Sequence, residues 1–343
     1  MTIAATSSER MMRPLTDPVV AWLLGVAGLV FCMIVVGGIT RLTGSGLSMV
    51  EWRPLMGILP PLSDGEWQRV FTLYQQSPEY IHVNSGMGID EFKTIFFWEY
   101  VHRVLGRVIG LAYGLPLLVF LALGRIPQGF GLRFMLLLVL GGMQGVIGWW
   151  MVKSGLAEDP AVSQYRLAVH LSMALIILSA LLWTALDLVN GRARFPGAHP
   201  AGIAGALGVT IVAGAFVAGM DAGLLYNEYP LMGDSLVPDE YGLEGWADPF
   251  ENPASAQFHH RLLALLVVVG VISLWWRAIN SGLAMRGYAM LTAVGLQFVL
   301  GVATLLYAVP VSLGTMHQGG AALLLASVVW YLHGAGVKRL TAI

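Results

Sequence analysis

Charge and cysteine are both scarce in this sequence. Only 11% of its 343 residues are charged, whereas a soluble domain carries about 25%. The formal net charge of −1 gives no support to nucleic-acid binding. The single cysteine, Cys32, rules out an intrachain disulfide. Since 57% of the residues are hydrophobic, these shortages exclude a soluble or disulfide-stapled domain and indicate an integral membrane protein.

The apolar residues fall into eight long runs. Each run has about 20 residues, enough to cross a hydrocarbon core of roughly 30 Å as a helix. The runs are too long and too uniformly apolar for barrel strands, and a lipid-exposed backbone must satisfy its own hydrogen bonds. We therefore predict an all-α integral membrane fold with eight transmembrane helices. The predicted spans are about 19–41, 94–122, 132–152, 166–188, 201–220, 256–277, 287–308 and 314–334.

Basic residues predict the orientation. Ten basic residues near the predicted span ends fall on one side of the membrane, which the positive-inside rule makes cytoplasmic together with both termini. They are Arg10, Arg13, Arg125, Arg133, Arg192, Arg194, Arg277, Arg286, Lys338 and Arg339. The opposite side carries two long loops, about 42–93 and 221–255, the second of them acidic. The first loop has an amphipathic stretch near Trp67, Val70, Phe71 and Tyr74, which we expect to lie on the membrane surface. The N-terminus shows neither a cleavable signal pattern nor a long transit segment, which favours a bacterial inner membrane over an organelle.

The chain repeats itself. The third predicted span contains Gly142 to Gly148 with Gln144, and the seventh contains Gly295 to Gly301 with Gln297. Four helices separate corresponding landmarks, an even number, so the repeats run parallel about an axis along the membrane normal. We predict two tandem, pseudo-symmetric four-helix bundles, an N-terminal half at 1–195 and a C-terminal half at 196–343.

Four histidines lie near the outer ends of the even-numbered spans, in two matched pairs. They are His102 with His170 and His260 with His317. An ionisable residue inside a membrane helix is a functional hypothesis by default. Facing imidazoles at equal depth suit the axial positions of a haem iron, whereas zinc would need more ligands at one point. One membrane histidine alone would as readily bond a neighbouring helix, but four at matched positions predict two haem sites near the outer face.

The remaining histidines are interpreted as surface residues. His82 lies in the first outer loop, and His199 and His333 lie near the inner face. His259 adjoins His260 but points about 100° away on a helix. We prefer His260 as the ligand because it aligns with His102.

Charged neighbours separate the two sites. Arg103 and Arg261 follow the first histidine of each pair and suit haem propionates, or else they reach up to the headgroups. Arg107 has no counterpart and is assigned to the first site only. Glu99 lies three residues before His102 on the same helix face, where the second half has Gln257.

A carboxylate can accept a proton and an amide cannot, so the halves look alike in binding and unlike in chemistry. We therefore predict the substrate in the first half and a fixed electron-transfer haem in the second. The alternative for Glu99 is an interfacial acid paired with Arg103 or Lys93.

At these residues the sequence closely resembles haem A synthase of the mitochondrial and alphaproteobacterial branch, over nearly the whole chain. The most specific blocks are Gly37 to Ser48, Trp52 to Pro61, Ser77 to Tyr80, Glu91 to Lys93, Trp98 to Arg103, Gln257 to Arg261 and His317 to Gly320. The cysteine pair that some bacterial relatives carry in the first outer loop is absent here.

The resemblance implies oxidation of a ring methyl of haem O to a formyl group by successive hydroxylation, giving haem A for terminal oxidases. It implies that the four paired histidines ligate haem iron and that Glu99 is the essential acid. A haem b belongs in the C-terminal half, and haem O and haem A, as substrate and product, belong in the N-terminal half. Substrate contacts at Arg41, Trp52 and Arg53 are taken from the family blocks.

The resemblance also implies partners, and two competing functions stay open. The partners to expect are membrane lipid, haem O synthase (protohaem farnesyltransferase), oxidase assembly factors, an electron donor or acceptor, and a second copy of the chain. One competing function is a diheme b-type electron-transfer cytochrome, which would want haems near both faces. The other is a haem carrier, which would need no catalytic acid.

Overall fold

The computed structural model describes residues 12–51, 59–156 and 160–341. Within these ranges it contains eleven α-helices, of which eight are long and apolar enough to cross a membrane. The helices are α1 Pro18–Leu42, α2 Asp64–Tyr74, α3 Pro78–His82, α4 Ile89–Ala122, α5 Gly131–Gly155, α6 Gln164–Asn190, α7 Ala198–Gly219, α8 Asp248–Glu251, α9 Pro253–Asn280, α10 Ala284–Leu306 and α11 Val311–Thr341. The spans are α1, α4, α5, α6, α7, α9, α10 and α11. The predicted all-α membrane fold and its eight spans are confirmed.

Polar residues at the helix ends explain where the spans begin. Asp17 caps α1 by accepting a hydrogen bond from the Val19 amide at 2.9 Å, with proline as the next residue. α4 begins five residues before the predicted span. Its first turn is acidic, which the helix dipole favours, and the Glu91 carboxylate accepts from the Gly88 amide at 2.9 Å. Hydropathy misses such a turn because charged residues in it look like loop.

The eight spans pack in two rings of four. In the first ring α1 contacts α4 and α6, and α5 contacts α6 and, more sparsely, α4. In the second, α7, α9, α10 and α11 contact one another in order, and α11 returns to α7. The rings meet where α1 contacts α11 and where α6 contacts α7 and α11. Each ring encloses an apolar cluster, one around Leu23, Phe134 and Leu181 and the other around Val271 and Met290.

The first outer loop folds back onto α4. The predicted amphipathic stretch is the helix α2, and its buried residues Phe71 and Tyr74 pack against Phe92 of α4. Trp67 contacts Phe96 in the same cluster. We expected this apolar face to rest on the membrane surface. That expectation is wrong, because the face packs against α4. The loop is thereby held over the end of α4 that carries His102.

Candidate functional site

Each paired histidine rests against a glycine of a neighbouring span. An added Cβ would lie 2.8–2.9 Å from the histidine Cε1 at three of these glycines, closer than packed atoms tolerate, and in tight contact at 3.2 Å at Gly37. The contacts join Gly37 to His102, Gly148 to His170, Gly214 to His260, and Gly301 to His317. Because only glycine leaves this room, the four contacts hold each imidazole close to the backbone of the helix beside it.

The second pair has the spacing of two axial ligands. The ring centroids of His260 and His317 lie 6.3 Å apart, and their planes cross at 89°. An imidazole nitrogen sits about 2 Å from a bound transition metal, so two imidazoles on opposite sides of one iron have centroids roughly 6 Å apart. The pair therefore fits a six-coordinate haem iron, whose other four ligands come from the porphyrin.

Hydrogen bonding differs between the pairs. His260 donates from Nδ1 to the Thr210 carbonyl at 3.0 Å, and Nδ1 of His317 lies 3.1 Å from the Gln297 amide. The His260 bond orients its ring and leaves Nε2 for a metal, and the Gln297 amide, which also donates to the His317 carbonyl at 2.9 Å, holds the ring of His317 in place. Nδ1 of both His102 and His170 is buried without a hydrogen-bond partner among the described residues. The second pair is thus pre-oriented, whereas the first pair is held by packing.

The donor set argues against other metals. Among the described residues, no group of three or more histidine, cysteine, aspartate or glutamate side chains is placed to hold a metal ion. Structural zinc sites need four such ligands. Two histidines on facing helices of a four-helix ring match the way bundles hold haem.

Glu99 is buried beside the first pair and bonded on both oxygens. It is 3% exposed. Its carboxylate accepts from Arg103 at 2.6 Å, from the Ser48 hydroxyl at 2.7 Å and from the Met49 amide at 2.7 Å. Of the two pairings considered for an interfacial acid, the one with Arg103 is present, while Lys93 pairs with Asp90 at 3.1 Å. These three donors hold both carboxylate oxygens in place.

Gln257 occupies the position in the second half that Glu99 occupies in the first, but it donates to loop acceptors where Glu99 accepts from loop donors. It is 2% exposed. Its amide nitrogen donates to the carbonyls of Ala222 at 2.9 Å and Tyr226 at 3.2 Å, and its oxygen accepts from Arg261 at 3.2 Å. A carboxylate here would face two carbonyl oxygens, which repel it. The loops therefore select an acid in the first half and an amide in the second.

Whole-chain comparisons agree with this layout. The family model described as "Cytochrome oxidase assembly protein" matches residues 20–329, from the first turn of α1 to the middle third of α11. The chain belongs to this family. It is 47% identical to a haem A synthase of Parvibaculum lavamentivorans over 320 residues, which cover 91% of this chain and 92% of that protein.

Two further relatives carry the same name. A haem A synthase of Nitrosospira multiformis is 44% identical over 333 residues, covering 92% of this chain and 93% of that protein. One of Caulobacter vibrioides is 45% identical over 320 residues, covering 90% and 93%. The resemblance seen in the sequence blocks is confirmed for this cytochrome oxidase assembly protein.

The basic residues near the sites are engaged with backbone. Besides Glu99, Arg103 donates to the Met49 carbonyl at 2.9 Å. Arg261 donates to the carbonyls of Leu231 and Tyr226, each at 3.0 Å. Both arginines tie an outer loop to the histidine helix, a role that the sequence did not suggest. Arg107 is half-buried one turn further along α4.

Of the residues proposed from the family blocks, one has a clear partner. Arg41 pairs with Asp221 at 2.8 Å and donates to the Ala218 carbonyl at 2.7 Å. It therefore joins the end of α1 to the end of α7. Trp52 and Arg53 lie outside the described residues.

One surface assignment is wrong. His82 and His199 are exposed as predicted, but His333 is 0% exposed. Its Nε2 lies 3.0 Å from Asp187, which also pairs with Arg133 at 2.5 Å. Hydropathy places a residue along a helix but does not say which face meets a neighbour, and His333 lies on the face of α11 that meets α6.

Glu79 of α3 lies in the family block Ser77 to Tyr80, but no role is predicted for it from the sequence. Its side chain is buried, and it accepts a hydrogen bond from the Tyr74 hydroxyl at 2.9 Å. Burial raises the pKa of Glu79 from 4.5 to about 7, against the effect of the Tyr74 bond and with a smaller contribution from the charge of Glu99. A lone acid in a polar loop carries no sequence signal for such burial.

We expect the outer loop to lose stability as the pH rises from about 4.5 to about 7. Over this window the unfolded loop has released the Glu79 proton and the folded loop keeps it, so the free energy of unfolding falls. The slope is at most about 1.4 kcal/mol per pH unit. Amide exchange of α2 and α3, corrected for intrinsic rates, measures it. Glu79→Gln should flatten the slope and the exposed Glu66→Gln should not; an unchanged slope in Glu79→Gln would refute the assignment.

Gly301→Ala should weaken haem binding in the second half. The new Cβ would lie 2.8 Å from Cε1 of His317, so the ring must turn away from its present orientation. Disturbing the support of a metal ligand typically costs about 10–100-fold in affinity. Haem content and the low-spin absorption spectrum of the purified variant measure the loss. Gly295→Ala on the same helix meets nothing within 4 Å and is the matched control; equal haem content in both variants would contradict the role of the glycine contact.

Proposed function

We infer that this chain is a haem A synthase, a membrane enzyme that oxidises a ring methyl of haem O to a formyl group. Family membership and the relatives' shared name support the reaction. The single observation that carries the chemistry is the exchange of Glu99 for Gln257 between two otherwise matched histidine sites. Each residue is bonded by loop groups of the opposite polarity. One site is thus built around a charge and the other is not.

We propose that His102 and His170 hold the substrate haem O, and that His260 and His317 hold a resident haem b. The pre-oriented rings of the second pair suit a permanent cofactor, and the packing-held rings of the first suit a ligand that enters and leaves. The haem b would supply a one-electron centre beside the substrate. Arg103, Arg107 and Arg261 remain candidates for propionate contacts alongside their backbone bonds.

Glu99 is the proposed catalytic acid–base group. Each hydroxylation of the methyl carbon takes one oxygen from water, releases two protons and passes two electrons to the proposed electron acceptor. Two hydroxylations in succession give a hydrate that loses water to become the aldehyde. Two axial histidines leave no open iron position for dioxygen, which favours electron removal followed by attack of water. The Glu99 carboxylate would then take the proton of that water or stabilise the developing positive carbon. Arg103, Ser48 and the Met49 amide hold its two oxygens in place.

The proposed setting is a bacterial inner membrane with both termini in the cytoplasm and the haem sites near the outer face. The loops of both halves lie at one end of the spans, where Arg41 meets Asp221. Arg133 and Arg286 begin α5 and α10 at the other end, in keeping with the positive-inside rule. The division into halves at 1–195 and 196–343 is supported by the two rings of helices. Haem O synthase, oxidase assembly factors, an electron acceptor and a second copy of the chain are proposed partners.

Pigment extraction tests the proposal. Protein purified from cells that make haem O should release haem B together with haem O or haem A. A diheme cytochrome would instead release haem B alone at two per chain, and that result would overturn the enzyme assignment. The structure disfavours such a relay because all four histidines lie toward the same end of the spans, whereas a transmembrane relay needs haems near both faces.

A further inference from the structure

The two halves differ in how their second and third spans meet. In the second half α9 and α10 pack closely, whereas in the first half α4 and α5 contact each other sparsely. Only 6% of the most apolar stretch of α5 is buried inside the protein, compared with 22% of the corresponding stretch of α10. Both halves carry a histidine pair, so the need to hold a haem does not by itself explain the difference.

Smaller side chains on α5 than on α10 account for the sparse contact between α4 and α5. Aligning Gln144 with Gln297 places Gly141 and Gly145 opposite Val294 and Phe298 of α10. Val294 is 4% exposed and belongs to the core of the second half. At Gly141 and Gly145, by contrast, an added Cβ would meet nothing within 4 Å.

α4 likewise carries glycine at positions where α9 carries larger side chains. Aligning His102 with His260 places Gly106 and Gly110 opposite Ala264 and Val268 of α9. Val268 packs against the core of the second half, whereas an added Cβ at Gly110 would meet nothing within 4 Å. Gly106 differs, because an added Cβ there would lie 3.4 Å from the Met33 methyl carbon of α1. We call the space beside Gly110, Gly141 and Gly145 the α4–α5 cleft.

The α4–α5 cleft is closed at its inner end and leads to the first histidine pair at its outer end. The Tyr113 hydroxyl donates to the Phe134 carbonyl at 2.8 Å, and Trp22 packs against both rings. Gly110 lies about two turns from His102, and Gly145 about one turn from Gly148, whose backbone contacts the ring of His170.

We propose that the α4–α5 cleft binds the long prenyl tail of haem O and is the side entrance through which this substrate passes from the bilayer to His102 and His170. The inference rests on the proposed function and adds the place where the tail binds. A prenyl chain is as apolar as lipid, so leaving it partly exposed to the bilayer costs little. What the cleft supplies is room beside the porphyrin, whereas the corresponding spans of the second half, α9 and α10, pack closely.

The test is to fill the cleft with the residues of the second half. In Gly110→Val with Gly145→Phe, the new side chains begin in open space. We expect the KM and the dissociation constant for haem O to rise about tenfold or more, because the tail clashes with the new side chains. The dissociation constant for haem B, which has no tail, and the resident haem spectrum should stay unchanged. Absorbance titration measures both affinities independently of turnover.

Gly114→Ile is the matched control. It adds the residue that the second half carries at Ile272, a position exposed to lipid, and Gly114 has nothing within 4 Å. It should leave both affinities as in the wild type. An unchanged affinity for haem O in the cleft-filled protein, or an equal loss for haem O and haem B, would overturn the proposal. If the double variant loses its resident haem spectrum, Gly110→Val alone is measured by the same criteria. Failure of the wild-type protein to convert haem O would instead refute the proposed function.

Discussion

Replacing Glu99 by glutamine should lower haem A formation by about 10²–10⁴-fold, the usual contribution of a positioned acid–base group. Glutamine keeps the size of the side chain and still accepts one of the present hydrogen bonds. It removes the negative charge and places an amide NH2 against donors such as the Ser48 hydroxyl and the Met49 amide. Haem A and haem O extracted from membranes and separated by chromatography measure the effect. Bound haem should remain, because both histidine pairs are intact.

Two controls separate chemistry from loop anchoring. Ser48→Ala removes one of the hydrogen bonds to Glu99 and leaves the carboxylate, so it should cost far less than Glu99→Gln. Glu91→Gln makes the same chemical change on the same helix, where the side chain only caps the Gly88 amide, and it should leave the yield unchanged. Haem A formation near the wild-type level in Glu99→Gln would remove Glu99 from the mechanism.

The histidine pairs should respond differently to alanine substitution. His260→Ala or His317→Ala should abolish the resident low-spin haem spectrum. At a centroid separation of 6.3 Å each of the two histidines would supply one protein ligand to the iron, so either substitution removes one of them. His102→Ala or His170→Ala should keep that spectrum and lose most turnover. Difference spectra and haem content of purified variants measure the first effect, and haem A yield measures the second.

His199→Ala controls for the loss of a histidine, since His199 is exposed and its ring lies within hydrogen-bond distance of the Ser273 hydroxyl, at 3.3 Å. It should change neither spectrum nor yield. Equal haem loss from both pairs would contradict the division of roles between the halves. Loss of the resident spectrum from the first pair alone would reverse that division.

The behaviour of His333 and Glu79 shows where sequence reasoning failed. His333 was predicted to be a surface residue, and no role was predicted for Glu79. Both side chains are buried. His333 lies at 3.0 Å from Asp187, a residue 146 positions earlier in the chain. Glu79 is covered because α2 and α3 fold back onto α4. No local pattern records such contacts, because they depend on how distant segments pack.

The difference between Glu99 and Gln257 was readable in advance, but its cause was not. Alignment of the two halves exposes the exchange from the sequence alone. Only the structure shows that backbone and hydroxyl donors surround the first residue while carbonyl acceptors surround the second. It also shows that Arg103 and Arg261 bind loop backbone, a role that their position beside a histidine did not reveal.

From the sequence alone came the eight spans, the two histidine pairs and the single acid that distinguishes them. These follow from it because lipid forces the backbone to bond within helices and makes every polar side chain in a span conspicuous. The tertiary structure decided which helix faces meet, which glycines the imidazoles rest against, and that α4 and α5 stand apart where α9 and α10 close. Those features depend on helix rotation and on side-chain volume across an interface, and hydropathy along one chain measures neither.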